Sequence, residues 1–336
     1  MASNRFWQLD RHPRGQDFAA ALSLQCEVLP PLAEGEVRVA AQWLSMDAGT
    51  RMWMSPRTDG YQPPLPLGSR MVGLCLGRVC ESRDPRFAEG ALVRGFGQWA
   101  EYSTVLPAAA GLEVVDDGVA DPRQHFGALG LNAWTAYVGV AEVARIRPSE
   151  WLAVSAAAGA TGSLACQIGR NLGARVVGIA GGPEKCRYLR DEIGVDRAID
   201  YRNQDVASEL ATIDGGVHGF FDNVGGPLLD AVLPNMALYG RVAVCGMVAA
   251  YDNDAPLPGP AQFDQVLMRR LRIEGFFIPD FLQRGAEFMP RLQQWLHEGR
   301  LATRFAEYAG IENTLEAYGA MLAGRHIGKV LVRLPG

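Results

Sequence analysis

The apolar pattern changes period along the chain. Over Glu34–Met46 (EGEVRVAAQWLSM) apolar and polar residues alternate through the first half, the pattern of a strand with one buried face. Gly77–Ser82 (GRVCES) and Ala91–Val105 (ALVRGFGQWAEYSTV) read as short strands, the latter broken by glycine. The pairs Pro30-Pro31 and Pro63-Pro64 mark loops, so this part predicts a compact β-rich domain. Beyond Asp121-Pro122 the texture differs. Phe126–Ala144 is mostly apolar at helical spacing. Trp151–Ala157 (WLAVSAA) and Ala174–Ala180 (ARVVGIA) are continuous apolar runs, as strands buried on both faces require. A helix is expected between them over Ser163–Leu172, ended by Gly173, and another over Pro183–Ile193 with Pro183 in its first turn. Ala198–Asp200, His218–Gly225 and Gly240–Gly246 add strand candidates. Strands alternating with helices predict an α/β domain with a doubly wound parallel sheet. Phe288–Leu301 and Ile311–Gly324 read as amphipathic helices, and Lys329–Leu334 as a closing strand that could return to the first domain.

Within the α/β part, Ser155–Arg170 reads SAAAGATGSLACQIGR, a strand-to-helix turn built of very small residues. Against G-x-G-x-x-G it offers Ala157, Gly159 and Gly162. Gly159 would let the backbone approach a pyrophosphate, and Gly162 would let helix and strand pack closely. The first helical turn, with Ala160 and Thr161, would present its N–H groups and positive dipole end to phosphate. A tight turn with no ligand is the alternative. An NAD site usually carries a carboxylate roughly 20 residues beyond the first glycine, for the ribose 2′-hydroxyl. Here the second strand ends in Ala180-Gly181-Gly182, Lys185 follows, and Arg187 is close. A missing carboxylate and a nearby ammonium favour a 2′-phosphate, hence NADPH, although Glu184 would weaken this if it turned inward.

Charge and composition exclude other classes. The net charge is −5, with no basic footprint for nucleic acid or an anionic membrane. No apolar run reaches the ~18–20 residues that span a bilayer, and the polar N-terminus lacks a signal-peptide core. The six cysteines are scattered without a C-x-x-C pair, and the five histidines show no zinc-hydrolase spacing, so no metal is expected. Reduced thiols in a cytoplasmic protein are the reading of those cysteines.

Taken in order, LGLNAWTAYVG, SAAAGATGSLACQIGRNLGARVVGIAGGPEKCRYL, FFDNVGG, GRVAVCG and GRHIGKVLV resemble the zinc-independent medium-chain dehydrogenases/reductases. The branch is that of prostaglandin reductases, plant alkenal double-bond reductases and bacterial curcumin reductase. The likeness covers nearly the whole chain. It implies a GroES-like β-rich catalytic domain over residues 1–126, completed by 304–336, and a Rossmann NADPH-binding domain over 127–303. It implies NADPH-dependent reduction of a carbon–carbon double bond conjugated to a carbonyl, in a homodimer. It assigns Lys185 and Tyr201 to the 2′-phosphate. Asn223, the segment with Cys245, Gly246 and Tyr251, and Phe276, Phe277 and Ile278 would line the nicotinamide half. Two positions depart from the family. His326 stands for asparagine in the late G-x-N-x-G-K, at a cofactor contact. Gly49 stands for a tyrosine of the substrate site, leaving a larger and less polar pocket. Tyr61 matches the family, and Met52, Trp53 and Met54 are either cleft or core residues.

Hydride transfer leaves charge on the carbonyl oxygen, which needs a donor. Tyr251 and Tyr61 are the candidate catalytic residues. Tyr251 would polarise the substrate or position the cofactor; packing on the ribose is its blander role. The small-molecule partner is an α,β-unsaturated carbonyl compound. Two alternatives stay open: a quinone reductase, and a protein that binds NADPH without turnover. A zinc alcohol dehydrogenase is disfavoured, because the cysteine and Gly-His-Glu ligand set is missing.

Overall fold

The computed structural model describes residues 3–60, 63–251 and 258–335. By internal contacts the chain divides into two compact units. One comprises Met1–His125, Phe305–His326 and Val330–Gly336; the other comprises Phe126–Arg304 and Ile327–Lys329.

The first unit is antiparallel. Strands β1 (Ser3–Leu9) and β2 (Leu22–Val28) pair with each other. A larger sheet is built on β3 (Val37–Ser45), β4 (Val72–Ser82), β5 (Leu92–Gln98), β6 (Tyr102–Val105) and β7 (Glu113–Val114). The break expected at glycine within Ala91–Val105 falls elsewhere. Gly95 and Gly97 stay inside β5, where a side chain would collide with Leu112, and with Cys75 and Ser103. The chain instead turns at Trp99, which is fully buried and donates its backbone N–H to Met71 O.

The second unit carries the parallel sheet: β8 (Trp151–Val154), β9 (Arg175–Ala180), β10 (Arg197–Asp200), β11 (Val217–Asp222), β12 (Met236–Val244) and β13 (Arg272–Gly275). Their order in space is β10-β9-β8-β11-β12-β13. The chain therefore winds outward from β8 through β9 and β10, then returns beside β8 and winds out the other way. The reversal between β8 and β11 is the topological switch point of a Rossmann-type sheet, where such folds bind ligands. Both faces are covered. Leu152 and Val154 join one buried cluster with Leu164, Ile168 and Phe288, while Trp151 and Ala153 join another with Leu210, Val232 and Leu233. That period-two split within one apolar run is why the strand sequence shows no alternation.

The last strands, β14 (Phe305–Ala309) and β15 (Lys329–Arg333), belong to the larger antiparallel sheet, in the order β14-β15-β3-β4-β5-β7 with β6 on β3. Leu331 sits opposite Ser45. The closing strand read from the sequence thus returns to the first sheet, and both chain ends build it.

Candidate functional site

The glycine turn follows β8. Ala156 takes the left-handed conformation (φ 47°), unusual for alanine. Gly159 (φ −84°, ψ 179°) caps the helix Ala160–Asn171, which starts earlier than the sequence suggests and has no side-chain cap and no acid in its first turn. The two glycines have different reasons to be bare. A Cβ on Gly162 would lie 2.3 Å from Ala156 O, so the turn itself demands glycine there. A Cβ on Gly159 would meet only Ala156 O, at 3.2 Å. Otherwise the space where that Cβ would stand is open. From the late loop, Gly328 N–H donates to Ala158 O at 2.8 Å, and Gly159 bridges to Gly328. Asn132 Nδ2 donates to Thr161 Oγ1 at 2.9 Å. The sequence reading missed Asn132, a lone amide in an apolar helix.

At the end of β9, Gly181 lies under the side chains that follow β10. A Cβ at Gly181 would come within 2.8 Å of Tyr201 Cζ and Oη and 2.9 Å of Arg202 Nε. Asp200 fixes this corner: its carboxylate accepts from Gly182 N–H (2.7 Å), Arg202 N–H (3.1 Å) and Asn203 Nδ2 (2.7 Å). Those bonds, led by the one from Gly182, hold Asp200 below the usual carboxylate range. Burial first, and then the Arg202 guanidinium, hold the Lys185 ammonium below its usual value; Glu184 pulls weakly the other way and is exposed. Arg202 is an arginine that shares this corner and acts on Lys185. The sequence reading stopped at Tyr201 and missed it, although it is the next residue.

The switch point is tied by one buried network. Ser155 Oγ donates to Asp222 Oδ1 (2.9 Å) and accepts from Asn223 N–H (2.7 Å), while Asn223 Nδ2 donates to Ser155 O (2.7 Å). Val224 and Gly225 N–H also donate to the Asp222 carboxylate. Burial nonetheless raises the Asp222 pKa. Cys245 and Gly246 both donate N–H to Asp222 O, and Val248 donates to Asn223 O. This brings Tyr251 back, with its hydroxyl 3.3 Å from where a Gly246 Cβ would stand. Asn223, Gly246 and Tyr251 thus converge. Burial, with the Asp222 charge adding to it, pushes the Cys245 thiol up to about 12, so it stays a neutral thiol at physiological pH.

The remaining candidates divide. Phe276 follows β13 and packs edge-on against Phe221, centroids 6.3 Å apart; Phe277 and Ile278 open the next 3₁₀ helix, Ile278–Arg284. Gly159, Gly181, Tyr201, Asn223, Cys245 and Phe276 each follow the carboxyl end of a parallel strand and so share that end of the sheet. His326 lies in the other unit, its Nε2 3.1 Å from Tyr308 Oη. Tyr61 lies outside the described residues. Of the pocket candidates, Met54 is fully buried in the core of the first unit, and Trp53 packs edge-on against Phe96. Gly49 precedes the short helix Thr50–Trp53 in ordinary helical conformation. Among the described residues, no three His, Cys, Asp or Glu side chains form a metal site.

A switch-point sheet, a bare-glycine helix turn and a cationic corner are the features of a dinucleotide-binding Rossmann-type site. Comparison with known proteins sharpens this. Residues 5–115 match the family described as the N-terminal domain of oxidoreductase, and residues 160–295 the one described as zinc-binding dehydrogenase. NADPH-dependent curcumin reductase of Escherichia coli (strain K12) is 34% identical over 99% of this chain and 97% of its own length. The NADP(+)-dependent 2-alkenal reductase of Nicotiana tabacum is 35% identical over 90% of this chain and 88% of its own length. The crystal structure of CurA from Vibrio vulnificus in complex with NADPH superposes with a TM-score of 0.92 at 31% identity, covering 99% of both chains. The chain belongs to the medium-chain dehydrogenase/reductase family, in its zinc-independent branch.

Proposed function

We propose that this protein reduces the carbon–carbon double bond of α,β-unsaturated ketones or aldehydes with NADPH, independently of zinc. End-to-end likeness to an NADPH-dependent curcumin reductase carries the reading. The chain's own residues fit the cofactor: Gly159 leaves open backbone beside uncapped helix N–H groups, and Gly181 offers no carboxylate to a 2′-phosphate.

Bound NADPH supplies a hydride to the β-carbon of the substrate. Gly159, Ala160, Thr161 and Gly162 form the pyrophosphate turn, and Lys185 and Tyr201 face the 2′-phosphate. Asn223, held through both its backbone N–H and its amide by Ser155, orients the nicotinamide half with Cys245, Gly246, Phe276, Phe277 and Ile278. The Tyr251 hydroxyl donates to the oxygen on which charge develops or positions the cofactor for transfer. Tyr61 belongs to the substrate side and His326 to the late cofactor contact in this reading. Water supplies the proton to the α-carbon.

The test is loss of the reduced-nicotinamide absorbance against a panel of enones, enals and quinones, with and without a chelator. Turnover of enones or enals unaffected by the chelator is expected; tight NADPH binding with no turnover of either would overturn the reading. Lys185→Ala is expected to raise KM for NADPH about tenfold, the worth of one charge-assisted hydrogen bond, and to change that for NADH much less. An equal effect on both cofactors would remove Lys185 from the 2′-phosphate.

The same reading makes the protein a cytoplasmic homodimer. Its six cysteines are all unpaired, which suits a reducing compartment, and no helix among the described residues is long and apolar enough to cross a membrane. Strand β13 ends the parallel sheet, and beside it Tyr239, Leu267 and Met268 are all more than half exposed. A two-fold axis at Ile273 would pair β13 with its copy and set Arg272 opposite Glu274. Ile273→Pro is expected to turn a dimer into a monomer in sedimentation analysis; a wild-type monomer would dismiss the pairing.

A further inference from the structure

Arg202 stands out among the groups at the cofactor edge that neither the glycine motif nor the family's pattern accounts for. Three observations place it. Its Nε comes within 2.9 Å of the point where a Cβ on Gly181 would stand, beside the Tyr201 ring at 2.8 Å. Its backbone N–H is pinned to Asp200 Oδ1 at 3.1 Å, while the same carboxylate holds Gly182 N–H at 2.7 Å, so the two chain segments are locked together. Its side chain is exposed and donates no hydrogen bond among the described residues.

We propose that Arg202 is a second cationic ligand of the ribose 2′-phosphate, beside Gly181 and close enough to Lys185 to act on its charge. This rests on the NADPH reading and deepens it. A phosphate monoester carries close to two negative charges at neutral pH, and a single lysine neutralises one of them. Two cations held at one corner repel each other until a dianion comes between them. Burial first, and then the Arg202 charge, lower the affinity of Lys185 for its proton, and the second of these is that repulsion. Asp200 feels the Arg202 charge, but its oxygens accept from Gly182 N–H, Arg202 N–H and Asn203 Nδ2 and take no hydrogen bond from the guanidinium. A guanidinium also presents a flat fork that grips two phosphate oxygens, which an ammonium does not.

Gly181 then has a specific job. The absent side chain does more than omit the ribose-binding carboxylate of an NAD site. It also leaves room for the ends of the Tyr201 and Arg202 side chains to lie against the bare backbone. A Cβ at Gly181 would displace the ends of both side chains from where they now lie.

The experiment compares wild type, Arg202→Ala, Arg202→Lys, Lys185→Ala and Gly181→Ala. Two readouts serve. One is the ratio of kcat/KM for NADPH to that for NADH with one enone. The other is binding of 2′,5′-ADP against 5′-AMP by calorimetry, which needs no turnover. Arg202→Ala is expected to lower the NADPH preference and the 2′,5′-ADP affinity about tenfold each, the range of one charge-assisted bond, with Arg202→Lys recovering part of both. Gly181→Ala should reproduce the loss with both residues still present. The loss should shrink with added salt, as the remaining charges are screened. If Arg202→Ala keeps the wild-type ratio while Lys185→Ala does not, the arginine is a bystander and the proposal falls, yet the NADPH reading stands. If wild type itself binds 2′,5′-ADP no better than 5′-AMP, the NADPH reading falls with it. Unchanged thermal unfolding in Arg202→Ala separates a lost ligand from a damaged fold.

Discussion

Gly162→Ala is expected to destabilise the protein by about 3 kcal/mol and to abolish NADPH binding, whereas Gly159→Ala should leave stability within about 1 kcal/mol of wild type. The contrast comes from what each added Cβ meets. At Gly162 it would stand 2.3 Å from Ala156 O and 2.9 Å from Ala157 Cα. Those are backbone atoms of a turn already carrying one left-handed alanine, and they cannot rotate aside. Relief requires the helix Ala160–Asn171 to lift from the sheet, which uncovers Leu164 and Ile168 and moves the helix N-terminus away from any phosphate. At Gly159 the backbone is extended and the nearest contact is 3.2 Å, so alanine is accommodated by a small shift. The methyl group would then occupy the ligand's side of the turn, and NADPH affinity should fall although the fold survives. Thermal unfolding and NADPH titration of the two variants check this. A Gly162→Ala protein that melts like wild type would show that the turn has slack the geometry denies.

That asymmetry also shows what the sequence could and could not disclose. The strand-turn-helix pattern around Ser155–Arg170 was legible because each of its parts has a local cause: an apolar run, small residues, then helical spacing. The parallel order of the sheet followed from alternation of strands and helices. The path of the closing strand was legible for a similar reason, since Lys329–Arg333 is apolar enough to need a sheet. Non-local causes stayed hidden. Nothing in the string AIDYRNQD says that Arg202 would lie against Gly181, because that contact depends on the register of β10 beside β9, where Asp200 pairs with Ala180. The glycines of β5 were misread for the same reason: their neighbours Leu112, Cys75 and Ser103 come from other strands. The bonds that Asn132 and Ser155 make were invisible, because a single polar side chain in an apolar run has no partner until the chain is folded.

The Asp222 network gives the other large effect. Asp222→Ala is expected to cost about 3 kcal/mol or more, because Ser155 O–H and the Val224 and Gly225 N–H groups lose their buried acceptor. Asp222→Asn should be far milder. Oδ1 alone accepts from all three donors, and Oδ2 receives only a secondary bond from Gly225 at 3.2 Å, so an amide oriented with its oxygen at Oδ1 keeps the main contacts. The pH dependence separates charge from shape. Burial raises the folded-state pKa of Asp222 above its unfolded value of about 4. A raised carboxyl pKa means the fold prefers the protonated form. Its stabilising contribution is complete below the unfolded value and is lost as pH rises through the folded one. The asparagine variant lacks this titration, so its stability relative to wild type should climb across that window and then level off. Denaturant unfolding of the pair at several pH values measures it. A difference that is flat with pH would mean that the carboxylate is ionised at no cost. NADPH affinity should follow the network, falling with Asp222→Ala and not with Asp222→Asn, because Ser155 holds Asn223 only while its own hydroxyl has somewhere to donate.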